Sequence, residues 1–296
     1  MKKEFRDLIV ENIEEANILL LGIPFDKNAS VGKGASLAPK VLRELSFDLP
    51  AVDMRGIPLN DTKIYDLGDE TSEDFQALKE NIYQKLMHSN QFKLILGGDH
   101  SIAIPAQEAF YQKAKELNKV PVIIHLDAHP DICESYHDSK YSHACPIKRS
   151  LDVGFEDKNI TLIGIRGFEK EEVETLKKHH QIDCFKAVDV KEIGVDAILT
   201  ILQAKYQRDN YLIYLSYDID INDPSFAPGT GTPEAFGLNS SETLKLVLGI
   251  ISLLDVYVMD LVEIAPPLDI NNITSWLGLK TLYEVFKTLE LKRKDK

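Results

Sequence analysis

The sequence predicts a three-layer α/β/α protein in which helices cover both faces of a mainly parallel central sheet. Short apolar runs recur along the chain, each followed by a polar or Gly-rich turn and then usually by an amphipathic stretch. Strands that are buried on both faces read as continuous apolar runs, and their alternation with helices is typical of parallel sheets. Because no internal repeat or Pro/Ser linker divides the 296 residues, we expect one domain over 1–296.

The apolar runs predict seven strands, in chain order. They are NILLLGI at 17–23, KIYDL at 63–67, FKLIL at 92–96, VPVIIHL at 120–126, ITLIGI at 160–165, YLIYLSY at 211–217 and VYVMDLV at 256–262. The amphipathic stretches between and after them predict helices over 38–46, 72–90, 101–118, 169–180, 195–207, 240–254 and 275–291. The segment DIDINDPSFAPGTGTPEAFGL at 218–238 is too polar and Pro/Gly-rich to be core. Since loops of this kind leave the carboxyl ends of parallel strands, where open α/β sheets bind ligands, it is a candidate site by position.

The composition excludes several classes of function. A formal net charge of −13 argues against sequence-independent binding to nucleic acid or to an anionic membrane, because both need basic patches, and it suits a cationic small molecule. The basic run at 292–296 is interpreted as the solvated end of a helix. No segment approaches the roughly 20 apolar residues that span a bilayer, so the sequence predicts a soluble, cytoplasmic protein. Three cysteines without C-x-x-C spacing indicate reduced thiols, of which Cys133 and Cys145 are candidates to line the site described next.

Three predicted strands are followed by acids and histidines at their carboxyl ends. Parallel strands bring these ends to one edge of the sheet, where four carboxylates and two imidazoles would meet. Each pair of like charges near 4 Å costs on the order of 4 kcal/mol at an effective dielectric of 20, which protonation or a cation must relieve. The candidate ligands are His100, Asp127, His129, Asp131, Asp218 and Asp220.

This set of side chains predicts a site for two divalent ions. Carboxylates with a minority of imidazoles and no thiolate favour Mn²⁺, with Fe²⁺, Co²⁺ and Zn²⁺ as alternatives. Six ligands suit two ions better than one, and two ions about 3.5–4 Å apart activate water for hydrolysis. His125 is expected behind the ligands or in the core. Asp99 is either an acceptor for a ligand histidine or part of a turn, and Gly97-Gly98 either forms a turn or lets the backbone pass close to the metals.

Four ordered motifs give the chain a resemblance over nearly its whole length to the ureohydrolase family of arginases, agmatinases and related amidohydrolases. They are GGDHS at 97–101, DAHPD at 127–131, SYDIDINDPSFAPGTGTPE at 216–234 and DLVEIAPPLD at 260–269. The resemblance implies an arginase/deacetylase-like fold and two Mn²⁺ ions per chain. It also implies that one ion is bound by His100 and Asp131, the other by His129 and Asp220, and both by Asp127 and Asp218.

The resemblance further implies roles in catalysis for four residues. Asp127 or Asp220 would hold or receive the proton of the attacking water. Glu263 matches the carboxylate that pairs with the substrate guanidinium, and a charged strand end at the surface is its alternative interpretation. His143 lies where the family has a histidine that transfers protons to the leaving amine, although Ala144 replaces the usual Gly and an exposed loop histidine remains the alternative.

Within the family, the sequence looks more like agmatinases than arginases. Arginases recognise the amino-acid end of arginine with Asn residues at two places that are held here by Cys133 and Tyr141. We therefore expect hydrolysis of agmatine to putrescine and urea. A guanidino-acid hydrolase such as a guanidinobutyrase, an arginase and a formimidoylglutamase are the alternatives.

The loop at Gly32-Lys33-Gly34 lacks the spacing of a phosphate-binding loop and is expected to border the pocket.

Two other classes of protein remain open at this stage. A catalytically inactive, metal-binding regulator is disfavoured because all the candidate ligands, Glu263 and His143 are present. A zinc deacetylase of related fold would need one metal and a catalytic Tyr, whereas the aspartates predict two metals. The resemblance also implies a homotrimer or homohexamer, which the composition does not test.

Overall fold

The computed structural model describes residues 4–207 and 209–294, and it contains an eight-stranded sheet in which each pair of neighbouring strands is parallel. The strand order is β2-β1-β3-β8-β7-β4-β5-β6. The strands are β1 (Ile18–Gly22), β2 (Ile64–Asp69), β3 (Phe92–Leu96), β4 (Val120–Leu126), β5 (Ile160–Ile165), β6 (Asp183–Lys186), β7 (Tyr211–Asp218) and β8 (Val256–Val262).

Helices pack on both faces of the sheet and form two separate apolar cores. Successive strand residues point to opposite faces, so Ile123 belongs to one core and Ile124 to the other. The helices are α1 (Ala38–Ser46), α2 (Phe75–Ile82), α3 (Ala103–Glu116), α4 (Pro146–Val153), α5 (Lys170–Lys178), α6 (Ala187–Ile193), α7 (Val195–Tyr206), α8 (Ser240–Leu253) and α9 (Ile273–Lys294). The core behind Ile124 includes side chains of α1 and α7 to α9, and the core behind Ile123 includes those of α2 to α4. The predicted three-layer fold is confirmed.

Four elements differ from the sequence prediction. The edge strand β6 was missed because its four residues, DCFK, are half-exposed or exposed and form no continuous apolar run. The short helices α4 and α6 were also missed, although Pro146 in the first turn and Gly154 after the last turn are typical helix boundaries. The predicted helix at 72–90 begins at Phe75, after its cap Asp74, and continues from Tyr83 to Met87 as a π-helix.

The register of the central strands places the ends of four strands at one level. Leu96 of β3 and Tyr217 of β7 both pair with Leu261 of β8, and Leu126 of β4 pairs with Tyr217. The loops that follow β3, β4, β7 and β8 therefore leave the sheet side by side. These are the segments that carry the predicted site residues.

None of the helices that the structure describes combines the length and the apolar character needed to cross a bilayer. The basic run at 292–296 begins in the last turn of α9, and its final two residues lie outside the described residues. Lys292 donates hydrogen bonds to the carbonyl oxygens of Ile251 and Leu254, so it ties the end of α9 to the end of α8. The expectation of a single domain over 1–296 stays a prediction.

Candidate metal centre and substrate pocket

The six predicted ligands come together in one crevice at the carboxyl edge of the sheet. His100, after β3, is buried, and its Nδ1 faces three carboxylates. That nitrogen lies 2.9 Å from Oδ2 of Asp127, 3.1 Å from Oδ2 of Asp131 and 3.2 Å from Oδ2 of Asp218. These contacts join the ends of β3, β4 and β7 in one cluster.

A second group of ligand atoms adjoins the first and shares Asp127 with it. His129 Nδ1 lies 3.1 Å from Asp220 Oδ2 and 3.4 Å from Asp127 Oδ1. The two oxygens of Asp127 thus face the two different histidines, His129 and His100. This is the placement that a carboxylate needs in order to bridge two ions.

Orphaned polar atoms show that the cluster fits divalent cations. His100 Nδ1, Asp127 Oδ2 and Asp220 Oδ2 are buried, and their close contacts with the facing side chains are not directed as hydrogen bonds. Buried polar atoms without partners are costly, and these three are all lone-pair donors of the kind that Mn²⁺ binds. Two sets of atoms are close enough together to hold an ion each: one on His100, His125, Asp127 and Asp131, the other on Asp127, His129 and Asp220.

His125 is closer to the cluster than its place inside β4 suggested. Its Nε2 lies 3.0 Å from Asp127 Oδ2, and its ring stacks on that of His100 with centroids 4.8 Å apart. A position behind the ligands, in contact with them, agrees with this geometry. Pairing with Asp127 also makes His125 one of the groups that could hold an ion.

The charges of the cluster shift the protonation of its members strongly. Burial alone would lower the pKa of His100, but the facing carboxylates, Asp127 first among them, raise it well above its usual range. Burial alone would raise the pKa of Asp127, whereas His125 and His100 hold it well below its usual range. Burial and the charge of Asp220 raise the pKa of Asp218 well above the ordinary value. The crowding that the sequence predicted is therefore present.

A hydrogen-bonded chain behind His100 fixes the orientation of its ring. His100 Nε2 lies 2.8 Å from Ser216 Oγ, and that hydroxyl donates to Asp260 Oδ1 at 2.9 Å. Tyr214 also donates to Asp260, at 2.6 Å. Because the hydroxyl proton of Ser216 is used by Asp260, Ser216 accepts Nε2–H, which leaves the lone pair of Nδ1 for a ligand. Sequence reasoning missed these residues; the signal was a polar side chain inside each of two apolar strands.

Asp99 and Gly98 have structural roles beside the cluster. Asp99 Oδ1 accepts the backbone N–H of Ser101 at 3.0 Å and its Oδ2 accepts that of Asn28 at 2.9 Å, so Asp99 belongs to the turn and does not hold a ligand histidine. Burial and the charge of Glu263 raise the pKa of Asp99 to about 7. A Cβ on Gly98 would lie 1.7 Å from the carbonyl oxygen of Phe25. The absence of a side chain at Gly98 therefore lets the backbone at Phe25 pack against it.

Glu263 and His143 lie close to each other at the crevice. Glu263 is buried with φ +62°, a left-handed conformation that is costly without glycine. Its Oε1 lies 3.6 Å from Nδ1 of His143, whose Nε2 is 2.9 Å from Ser30 Oγ. Burial opposes protonation of His143, but Glu263 outweighs it and raises the pKa of His143 to about 9. The surface interpretation of Glu263 and the exposed-loop interpretation of His143 are wrong.

A cavity of about 310 Å³ opens above the cluster. Ser30 and Val31 border it, whereas the neighbouring Gly32, Lys33 and Gly34, which were expected there, are not among the described residues that line it. Cys133 and Cys145 are buried but are not among the described residues that line it, so the expectation that they line the site is wrong. Its lining residues are Ser30, Val31, His100, His129, Asp131, Tyr136, His143, Ala144, Gly167, Phe168, Glu169, Glu172, Asp218, Gly231, Thr232, Pro233 and Glu234.

Arg166 organises the long loop after β7, a role that sequence reasoning missed. Its guanidinium donates to the carbonyl oxygens of Asp220 at 2.8 Å and Glu234 at 2.7 Å, and to others between them. The loop therefore wraps around one cation that is fixed at the end of β5. Since the loop carries both Asp220 and Glu234, Arg166 sets the position of one wall of the cavity.

Comparison with known proteins agrees with this site. The family model described as the Arginase family matches residues 16–287. The chain is 31% identical over 287 residues to a mitochondrial guanidino acid hydrolase of Homo sapiens, covering 93% of this chain and 79% of that protein. It is 31% identical over 285 residues to an agmatinase of Bacillus anthracis, covering 93% and 92%. The crystal structure of an agmatine ureohydrolase of Thermoplasma volcanium has a TM-score of 0.87 at 32% identity, covering 99% of this chain and 96% of that one.

These matches test the resemblance that the motifs indicated and confirm it. They extend over both halves of the sheet, and they include the segments that supply the two groups of ligand atoms. The chain belongs to the arginase family and is a hydrolase of the class that acts on guanidino compounds.

Proposed function

We propose that this protein hydrolyses agmatine to putrescine and urea with two Mn²⁺ ions per chain. The observation that supports this substrate is the charge of the cavity wall. Glu169 and Glu234 border the opening, and no Lys or Arg is among the described residues that line it. Such a wall attracts the ammonium tail of agmatine and repels the carboxylate tail of a guanidino acid. Overall similarity does not decide between them, because relatives of both kinds are 31% identical to this chain.

The residues of the cluster would hold the two ions in two overlapping sets. By the resemblance, His100 and Asp131 would hold one ion, His129 and Asp220 would hold the other, and Asp127 and Asp218 would contribute to both. When bound, the ions would supply Lewis-acid activation of water for hydrolysis of the guanidinium group at neutral pH. Asp220 or Asp127 would hold or receive the proton that the attacking water gives up.

Glu263 positions the substrate in this proposal. Its Oε1 is occupied by the backbone N–H of His100, at 2.7 Å, while Oε2 is directed towards Gly231 on the cavity wall. A buried carboxylate in this place pairs with the N–H groups of a guanidinium and holds its carbon above the cluster. Because Gly231 has no side chain, the planar group can approach Oε2 closely.

His143 supplies the proton that the leaving group needs. As the bond between the guanidinium carbon and the alkyl nitrogen breaks, that nitrogen leaves as an amine and takes a proton from the imidazolium, and the carbon retains the oxygen as urea. A pKa of about 9 keeps His143 protonated at neutral pH, which suits a general acid. The hydroxyl of Ser30 fixes the far side of the ring.

A substrate panel tests the proposal. Protein treated with a chelator and reloaded with Mn²⁺ is assayed with agmatine, arginine, guanidinobutyrate and formimidoylglutamate, the last by release of formamide. We expect the highest kcat/KM for agmatine. Glu169→Gln should raise KM for agmatine about fivefold with kcat unchanged, because one exposed charge at the opening is lost. Turnover of another compound without agmatine hydrolysis contradicts the proposed substrate.

The same preparation separates an enzyme from a regulator. Two bound Mn²⁺ ions without turnover on any of the four compounds would support the inactive regulator.

We also propose a cytoplasmic homotrimer or homohexamer. Light scattering of the protein as it elutes from a size-exclusion column gives the mass of the assembly. A monomer in that measurement contradicts the assembly and leaves the proposed reaction untouched.

A further inference from the structure

Glu234 faces the predicted ligand His129 from the side away from the metal cluster. His129 directs Nδ1 at Asp127 and Asp220, while its Nε2 lies 3.8 Å from Oε1 of Glu234. This separation is longer than a hydrogen bond, and a bridging water or a small rotation of the ring spans it. The carboxylate is therefore placed to receive the Nε2 proton.

The two ligand histidines differ in how they are held. His100 is buried and Ser216 accepts its Nε2–H at 2.8 Å. The side chain of His129 is 24% exposed, and among the described residues the acceptor paired with its Nε2 is Glu234. A histidine that binds metal through one nitrogen needs an acceptor for the other N–H, which fixes the tautomer and the plane of the ring.

Gly167 leaves the space that this contact occupies. A Cβ at Gly167 would lie 2.7 Å from Cδ2 and 2.9 Å from Nε2 of His129, and 3.2 Å from the carboxyl carbon of Glu234. Both members of the pair therefore pack against the same bare stretch of backbone. Arg166, the preceding residue, donates a hydrogen bond to the backbone carbonyl of Glu234 at 2.7 Å. This contact fixes the backbone that carries the Glu234 side chain.

We propose that Glu234 is a positioning residue for His129. It accepts the Nε2 proton, directly or through one water, and so keeps the lone pair of Nδ1 directed at the ion. The inference rests on the metal centre of the proposed function but not on the substrate. It couples the loop after β7, which borders the cavity, to one of the two ions.

Titration of metal-free protein with Mn²⁺, followed by the electron paramagnetic resonance signal of free Mn²⁺, tests this role without any substrate. We expect Glu234→Ala to weaken one of the two sites by 10- to 100-fold. Glu234→Gln should retain most of the affinity, because its amide oxygen still accepts the proton. Gly167→Ala should weaken the same site, since its Cβ displaces the ring of His129. Glu169→Gln, which removes an equal charge from the opening, is the matched control and should leave both sites within twofold.

Four results would overturn the proposed role of Glu234. Wild-type affinity in Glu234→Ala means that Glu234 does not hold His129. An equal loss in Glu169→Gln means that charge at the opening, not the contact, sets the affinity. A Gln variant as weak as the Ala variant excludes the accepted proton as the cause. If KM for agmatine rises while both Mn²⁺ affinities stay unchanged, Glu234 acts on the substrate instead. Failure of agmatine hydrolysis in wild-type protein that still shows the Glu234 effect would overturn only the proposed substrate.

Discussion

Glu263 accepts the backbone N–H of His100 at 2.7 Å, and in return the backbone N–H of Glu263 donates to the carbonyl of Gly98 at 2.9 Å. This reciprocal pair connects the end of β8 to the end of β3. The carboxylate proposed to hold the guanidinium is thereby fixed relative to a predicted metal ligand. These two hydrogen bonds therefore fix the carboxylate and the predicted metal ligand relative to each other. Catalysis by orientation requires such precise placement.

Glu263→Gln should separate substrate binding from metal binding. The amide oxygen of Gln can still accept the N–H of His100, so both Mn²⁺ ions should remain. Loss of the charge that faces the guanidinium should lower kcat/KM by about 10²-fold or more, since charge-assisted hydrogen bonds to a buried group contribute about 3 kcal/mol. Metal analysis and steady-state kinetics on one preparation give the answer. Loss of metal in this variant would show that Glu263 acts through His100.

Asp127→Asn should remove metal and activity together. The two oxygens of Asp127 face both histidines, and an amide nitrogen at either place would direct N–H bonds at an ion instead of a lone pair. We expect fewer than two Mn²⁺ ions per chain by elemental analysis, with no urea released. Two ions retained by the variant would exclude the bridging role.

The protonation of His143 predicts an alkaline limit of the rate. Glu263 raises the pKa of His143 to about 9 against the effect of burial, so the general acid is protonated at pH 7 and lost as the pH rises through about 9. We expect kcat to fall above that pH. His143→Ala should lower kcat by about 10²- to 10⁴-fold, retain both metals and lose this limb of the profile. Unchanged kinetics in the variant would exclude His143 from the mechanism.

Arg166→Lys should loosen the loop after β7. A lysine has one point charge and cannot donate in several fixed directions to carbonyls such as those of Asp220 and Glu234. Leaving some of these buried oxygens unpaired should lower the free energy of unfolding by about 1–3 kcal/mol, measured by urea unfolding. The exposed Arg55→Lys is the control and should change it by less than about 0.5 kcal/mol. Equal stability of both variants would contradict the organising role of Arg166.

Lys93 makes stability depend on pH far from the site. Its buried ammonium lies over the ring of Tyr257, and burial lowers the pKa of Lys93 to about 7. Because the pKa is higher in the unfolded chain, the unfolded state binds more protons between about pH 7 and pH 10, and the free energy of unfolding rises over that window. Lys93→Met should flatten the rise, which we expect to be on the order of 3 kcal/mol. Urea unfolding at pH 6.5 and pH 9.5 measures it, and equal slopes in both proteins would contradict the prediction.

Site residues could be predicted from the sequence where the local spacing of residues along the chain identifies them. Alternation along β4 places Asp127, His129 and Asp131 after an apolar run, and the parallel register then brings them to His100 and Asp220. Strand β6 was not predicted from the sequence, because an exposed edge strand needs no apolar run. The two cysteines were expected at the cavity because they are near the ligands in sequence, but both are buried and neither is among the described residues that line it.

The sequence by itself determined the layers, the edge of the sheet that carries the site and the acids and histidines crowded there, because strand periodicity and the ends of strands are local properties. The tertiary structure decided which side chains hold those ligands. Ser216 reaches His100 across 116 residues, and Arg166 reaches Glu234 across 68. No spacing in the chain encodes such contacts, since each depends on how neighbouring strands and the loop after β7 pack together.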